Sequence, residues 1–329
     1  MHDGVLYLTE KDVVSVLDMP AAIEALTEML IQQGHEKVKN VPKALGTWAD
    51  GSSMHALGSV MTEGGHCGFK TWVHTKRGGG SMFSLFDSHT GKLLALIEAR
   101  ALGMMRTAAV TGVATRTLAP NDSRIGALIG TGPQAVTQLA ALAAVQDWQE
   151  MRVFSPTPEK REAFVSRLAP RYGFSLVACN SLEQALDGAE VLTTITRAAE
   201  PFVTTDLLQG CKHINAIGAI LPSKAEVDQS IMQQVDMIVV DDKENAVRGS
   251  RELRELLGPD LSSWTRVDVL SHLLANGLRR PGDARLTLFK GMGMGMSDLA
   301  VAGRVYAGAL ERGLGITLPA QTRENLLLH

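Results

Sequence analysis

The first clear period in the chain lies in "LTEKDVVSVLDMPAAIEALTEMLIQQGH", where apolar residues recur every three or four positions and predict one or two helices. From about Val41 the period shortens. The runs "VPKALGTW", "SMHALGSVM", "CGFKTWVHT" and "SMFSLFD" read as short strands, separated by the turn-forming stretches "ADGSS", "TEGG", "KRGGG" and "DSHTGK". Consecutive strands joined by tight turns predict a mainly antiparallel sheet. "LIEARALGMMRTAAVTGVATRTLAP" then reads as a long helix stopped by Pro120. Beyond Pro120, strand and helix alternate. "RIGALIG", "MRVFS", "SLVAC", "VLTTIT", "HINAIGA" and "MIVVDD" are strands, and "PQAVTQLAALAAVQ", "TPEKREAFVSRLAPRYG" and "SLEQALDGA" are helices. Strands apolar on both faces, interleaved with helices, predict a parallel sheet covered on both sides.

This rhythm divides the chain near Pro120. The expected first domain spans residues 1–119 and the second 120–304. The helix in "SDLAVAGRVYAGALERG" could return to either domain, and the end of the chain, about 305–329, is assigned to the first. A length of 329 residues accommodates two domains with sizeable cores. Lys plus Arg number 32 against 35 Asp plus Glu, a net charge of −3, which offers no basic footprint for nucleic acid and no polybasic membrane patch. The opening residues lack signal architecture, and no apolar run approaches membrane-spanning length. Cys67, Cys179 and Cys211 are isolated and odd in number, as expected of reduced thiols in a cytoplasmic protein.

Chemistry first shows in "IGALIGTGPQA". Gly130, Thr131 and Gly132 follow a strand and precede a helix, and with Ala135 they form the G-x-G-x-x-A variant of the dinucleotide fingerprint. The first glycine permits the tight turn, the second admits a diphosphate close to the backbone, and helix N-terminal amides face the phosphates. The second domain is therefore expected to be a Rossmann-type doubly wound sheet, beside a first domain of α+β type. NAD binders usually place an acid at the next strand end. Here "VFSPTPEKR" offers Ser155 and Thr157, with Lys160 and Arg161 nearby and no acid before Glu159. Small hydroxyls and cations suit a 2′-phosphate, so NADP(H) is favoured and NAD(H) remains possible.

In the first domain, Arg106 has Leu102, Ala109, Val110 and Val113 at helical spacing. An arginine on so apolar a face must snorkel, pair with an acid or bind an anion, and its planar fork is suited to a carboxylate. Lys43 and Lys70 sit within strand-like runs. Mid-strand lysines are usually solvated, so neither marks a site by itself. His55, His66 and His74 have no acids or cysteines at metal-ligand spacing, so no metal site is expected.

Together these segments resemble the ornithine cyclodeaminase/mu-crystallin family across essentially the whole chain. "RTAAVTGVATRTLAP", with its Arg-Thr-Ala-Ala opening, is the strongest segment. "LFDSHTGKLLALIEA", "IGTGPQA", "HINAIGA" and "LFKGMGMGMSDLAVA" also match; in the last, the family has a Ser-Val-Gly loop followed by Glu-Asp. The resemblance implies a homodimer built through the first domain and a nicotinamide cofactor over an interdomain cleft. By motif position, Arg106 would grip the substrate carboxylate and Lys70 would be the active-site lysine. Lys43 stands where the family usually carries arginine. Pro133 and Gln134 would lie at the diphosphate, and Thr196, Asn215, Ile217 and Lys224 along the cofactor. Gly291 and Met292 replace Ser-Val near the nicotinamide.

One departure bears on the reaction. Cyclodeaminases carry an aspartate before Pro-Gly-Lys, and that acid handles the amino group. Here the position is Ile220, in "GAILPSK", and an isoleucine can neither hydrogen-bond nor move a proton. Ser223 to Glu226 reads as a capping box opening a helix, which gives Glu226 a structural role. The expectation is therefore reduction of a 2-imino acid to an L-amino acid, or the reverse dehydrogenation. Lys43, Lys70 and Arg106 would hold the substrate, with Ile220 and Met292 beside it. Surplus cations, with Lys76 or Arg77 as possible additions, would tolerate a dicarboxylic substrate. Two rivals stand beside this: a cyclodeaminase with a displaced acid, and a non-catalytic NADPH-binding protein of the crystallin type.

Overall fold

The computed structural model describes residues 4–322 and 324–327. In chain order, β1 (Gly4–Leu8) leads into α1 (Glu10–Val16) and α2 (Met19–Gly34). An antiparallel run follows: β2 (Val38–Thr47), β3 (Ser53–Met61), β4 (His66–Thr75), β5 (Gly78–Asp87) and β6 (Leu93–Glu98). The long helix α3 begins only at Arg100 and ends at Leu118, because "LLALIE" pairs with β5 and β1 as a strand instead of opening the helix. Alternation then sets in with β7 (Ile125–Ile129), α4 (Pro133–Val145), β8 (Glu150–Phe154), α5 (Pro158–Leu168), β9 (Ser175–Ala178), α6 (Leu182–Leu186), β10 (Val191–Thr194) and β11 (His213–Ala216). The chain closes through α7 (Gln229–Met232), β12 (Met237–Val240), α8 (Lys243–Gly249), α9 (Arg251–Leu257), β13 (Val267–Val269), α10 (Leu270–Ala275), β14 (Thr287–Lys290), α11 (Gly295–Arg312) and β15 (Ile316–Pro319).

The chain forms two compact units. One takes the chain up to Ala25, Glu36–Arg106 and everything from Gly295; the other takes Leu26–His35 and Thr107–Met294. The division thus falls inside α3, between Arg106 and Thr107, and not at Pro120. The return to the first unit starts at Gly295, before the expected 305. The final segment is helix only to Arg312; β15 follows and pairs antiparallel with β1, and residues 323, 328 and 329 lie outside the described residues. β1 and β15 went unread in the sequence because each is an edge-region strand of four or five residues, too short to show a period.

The first unit is built on a seven-stranded sheet, β15-β1-β6-β5-β4-β3-β2. Helix α11 lies against β3 and β4. Gly295 permits that approach: a Cβ there would sit 2.0 Å from the Gly58 carbonyl oxygen. The first turn of α11 is tied to β2 as well, since the Met296 amide donates to Asn40 Oδ1 at 2.8 Å. These contacts fix where the start of α11 stands over the sheet.

The second unit is an eight-stranded, all-parallel sheet ordered β13-β12-β14-β11-β10-β7-β8-β9. Strand residues alternate between two cores. Ala127 and Ile129 of β7 join one with Leu192, Ile214, Val240 and Trp264, while Leu128 joins the other with Leu139, Met151, Val153 and Phe164. The chain order reverses beside β7, whose neighbours are β8 and β10, so the ends of β7 and β10 form the switch point where doubly wound sheets bind ligands.

Gly295→Ala should destabilise the protein by about 1–3 kcal/mol, the usual range for overpacking, because the Gly58 backbone cannot yield as a side chain would. A thermal melt of the variant against the parent measures this, and an unchanged midpoint would contradict the packing described.

Candidate active site

The first unit gathers its cations around one buried acid. Lys70 of β4 lies between Leu57 of β3 and Phe83 of β5, both buried, and Lys70 itself is buried. Its Nζ donates to Asp298 Oδ1 at 2.7 Å, and Arg106 Nε lies 3.3 Å from the same oxygen. Asp298 stands in the first turn of α11 and is fully buried, with Oδ2 free of any hydrogen bond among the described residues. A Cβ on Gly103 would be 3.4 Å from Lys70 Nζ, so the glycine leaves room for the ammonium. Burial pushes the Lys70 pKa down to about 8, with Asp298 pulling upward and Arg106 and Lys43 downward. The Lys70 ammonium therefore titrates far closer to neutrality than an ordinary lysine.

Trp72 forms the wall of this cluster. Its ring centroid is 5.1 Å from Lys70 Nζ and 5.5 Å from Lys43 Nζ, and His55 stacks on it at 4.5 Å with planes 4° apart. Burial and the nearby Arg106 lower the Lys43 pKa. The structure therefore brings Lys43, Lys70 and Arg106 together, although they come from β2, β4 and α3. The residue that sequence reasoning passed over is Asp298. The "MSD" of the last matching segment was the available signal, yet nothing in the sequence showed that this helix turn meets β4. Lys76 and Arg77 lie in the exposed β4–β5 turn.

In the second unit the glycine loop has the geometry of a diphosphate cradle. Gly130 has φ +121°, and a Cβ there would lie 2.5 Å from the Ile195 carbonyl oxygen, so only glycine fits. A Cβ on Gly132 would meet nothing within 4 Å, which leaves the space over the loop open to a ligand. Gly132 caps α4 without a side-chain bond, with Pro133 in the first turn and Gln134 exposed beside it. Thr131 Oγ1 donates to Ser155 Oγ at 3.1 Å, joining the loop to the end of β8. Thr157 and Lys160 follow, Lys160 being exposed. Arg161 corrects the simple cation count. It is buried and donates to the Ser155 carbonyl and to Asn180 Oδ1, so it braces the β8 end.

The strand end at β11 also differs from its sequence reading. No helix opens at Ser223, and the capping box does not form; the next helix, α7, is capped by Asp228 through the Ser230 amide. Glu226 is structural for another reason. Its buried carboxylate accepts from the hydroxyls of Thr194 and Thr196 and from the amides of Thr196, Gly218 and Ala219 at 2.7–3.2 Å. Its own amide donates to Glu252, which pairs with the buried Lys290. Asn215 likewise cannot face a cofactor through its side chain. It is fully buried, donating to Thr115 and Thr193 beside His213, whose pKa burial lowers to about 4. Ile217 is buried against Gly291, while Ile220 is 43% exposed and its backbone adjoins the space beside Gly249 and Met292. Asp241 accepts from the Met292 and Gly293 amides and so fixes that loop. Lys224 Nζ donates to the Arg197 carbonyl. Among the described residues no three metal-binding side chains cluster.

The sequence matches the ornithine cyclodeaminase/mu-crystallin family over residues 5–313. It is 31% identical over 233 residues to the Delta(1)-pyrroline-2-carboxylate reductase of Bacillus cereus, covering 70% of this chain and 71% of that one. It is 31% identical over 320 residues to the alanine dehydrogenase of Archaeoglobus fulgidus, covering 94% and 97%. The solved iminosuccinate reductase of Paracoccus denitrificans in complex with NAD+ superposes with a TM-score of 0.88 at 25% identity, over 97% of this chain and 98% of that one. With the glycine loop at the sheet's switch point and the lysine–arginine–aspartate cluster on α3, β4 and α11, the chain belongs to the ornithine cyclodeaminase/mu-crystallin family and is one of its NAD(P)-dependent oxidoreductases.

Proposed function

We propose that this chain reduces a 2-imino acid to the amino acid, or runs the reverse dehydrogenation, with NADP(H) as the favoured carrier and NAD(H) also accepted. One observation carries the reading: Lys70 is buried, shares Asp298 with Arg106 and has a pKa near 8. A bound nicotinamide would supply the hydride to the imine carbon, held by Gly130–Gln134, Ser155, Thr157 and Lys160. The residues of the first unit do the rest. Arg106 and Lys43 hold the substrate carboxylate, and Lys70 donates its Nζ proton to the imine nitrogen, regaining one from solvent afterwards. The absence of an acid at the β8 end, with Ser155 and Thr157 in its place, supports NADP(H). Cyclodeamination is disfavoured on the positions of the acids: Glu226 is saturated by five donors, Asp228 caps α7, and Ile220 carries no proton.

We further propose that two copies pair through the outer face of the first unit's sheet. Met54, Phe69 and Val73 lie on the face opposite Lys70 and are 55%, 40% and 42% exposed, and Met54 and Val73 help to line a hollow of about 780 Å³. Light scattering should give a two-chain mass, and Val73→Asp should give single chains; a parent that runs as a monomer would sink this.

Oxidation of NADPH should be seen with cyclic ketimines or with 2-oxo acids plus ammonia, followed by the absorbance of the reduced nicotinamide. Turnover should fall as pH rises through about 8, because only the Lys70 ammonium, dominant below that value, can donate. Lys70→Met should lower kcat by about 100-fold or more while NADPH still binds. Release of ammonia and proline from ornithine would overturn the reading. NADPH binding with no turnover of any imine would favour the non-catalytic alternative.

A further inference from the structure

Glu226 holds more than its own loop. It is fully buried, and its carboxylate is met from two strand ends at once. Oε1 accepts from the amide and the hydroxyl of Thr196, both at 2.7 Å. Oε2 accepts from the Thr194 hydroxyl at 2.9 Å and from the amides of Gly218 and Ala219 at 2.8 and 3.2 Å. Thr194 ends β10, and Gly218 and Ala219 follow β11, its neighbour in the sheet. One side chain thus ties together the carboxyl ends of two adjacent parallel strands.

The fastening extends to either side. Ile195, between the two threonines, is the residue on which the glycine loop rests, since a Cβ on Gly130 would lie 2.5 Å from its carbonyl oxygen. Gly218 meets the next residue as closely: a Cβ there would overlap the Thr196 backbone and Glu226 Oε1. In the other direction the Glu226 amide donates to Glu252 Oε1 at 3.1 Å, and Lys290, the last residue of β14, donates to the same oxygen at 3.2 Å. Glu252 and Lys290 are buried as well. The strands involved, β14, β11, β10 and β7, are consecutive in the sheet. Their carboxyl ends form the edge at which a doubly wound sheet takes its ligand.

Building on the proposed use of a nicotinamide carrier at the glycine loop, we infer that Glu226 is the positioning residue of the cofactor site. Its carboxylate sets the spacing between Thr194–Thr196, on which Gly130 rests, and the Gly218–Ala219 turn, and through them the affinity for the dinucleotide. Being fully buried, it acts through the backbone it holds. A glutamine would keep the shape but turn one acceptor into a donor. Each carboxylate oxygen faces at least one backbone amide, which cannot reverse. Either orientation of the new amide therefore sets donor against donor in a buried place, and the strand ends must part to relieve it.

Fluorescence titration of the cofactor-free protein with NADPH, or with NADH if that binds more tightly, reads the effect without turnover. Glu226→Gln should weaken binding by about tenfold or more, the scale of one charge-assisted hydrogen bond. At saturating cofactor its kcat for an imine should stay within about threefold of the parent, because the loss falls on binding. Thr194→Val, which removes one donor at nearly constant volume, should weaken binding by about threefold, and Thr194→Ser, which keeps the hydroxyl, should restore the parent affinity. If Glu226→Gln does not fold, the Thr194 pair decides. Parent affinity in Glu226→Gln or in Thr194→Val would overturn the inference and leave the reductase reading standing. Equal weakening in Thr194→Val and Thr194→Ser would also overturn it, since packing and not the hydrogen bond would then matter. A parent that binds neither cofactor would remove the nicotinamide reading itself, and this inference with it.

Discussion

The carboxylate of Asp298, buried against Lys70 and Arg106, is the interaction around which the cations of the first unit are organised. A buried acid with two basic neighbours is costly to assemble, and removing one partner would leave an uncompensated charge. The fold meets that demand by construction. Gly295 lets α11 touch the β3 backbone at Gly58, and Asn40 catches the Met296 amide. Asp298 then sits one turn into the helix, at the height of Lys70. The result is an ammonium whose pKa is lowered to about 8 and an arginine ion-paired to the same carboxylate oxygen. Preorganisation of this kind is what a proton donor and a carboxylate anchor require.

The second unit uses buried carboxylates differently. Glu226 gathers hydroxyls and amides from the ends of β10 and β11, and Asp241 does the same for the loop after β14. Neither carries chemistry. Each holds irregular backbone at strand ends, where a doubly wound sheet leaves loops to form the ligand site. With these acids committed to structure and Ile220 at the position where cyclodeaminases carry their aspartate, the loop after β11 has no group for elimination of ammonia. The same scaffold is left with hydride transfer and one protonation.

Much of this was legible in the sequence. Strand and helix alternation after Pro120 marked the parallel sheet, and Gly130, Gly132 and Ala135 marked the cradle, because their chemistry is local. Lys43, Lys70 and Arg106 were recognisable only as a set, through resemblance. Asp298 escaped notice because its partner is 228 positions away, and no local pattern reports such a contact. Glu226 was assigned correctly to structure on a wrong mechanism: the Ser223–Glu226 spacing fits a capping box, but the carboxylate finds five better donors in Thr194, Thr196, Gly218 and Ala219. Arg161 and Asn215 are buried and hydrogen-bonded within the second unit, a use of polar side chains that no local pattern reports.

The most direct test of the account is the pH dependence of imine reduction in Asp298→Asn. The carboxylate raises the Lys70 pKa against burial, so its neutralisation should move the basic limb of the kcat profile to lower pH, with NADPH affinity unchanged. That shift would mean that Lys70, tuned by Asp298, supplies the proton. A variant profile that superposes on that of the parent would contradict the account, and another group would have to be sought.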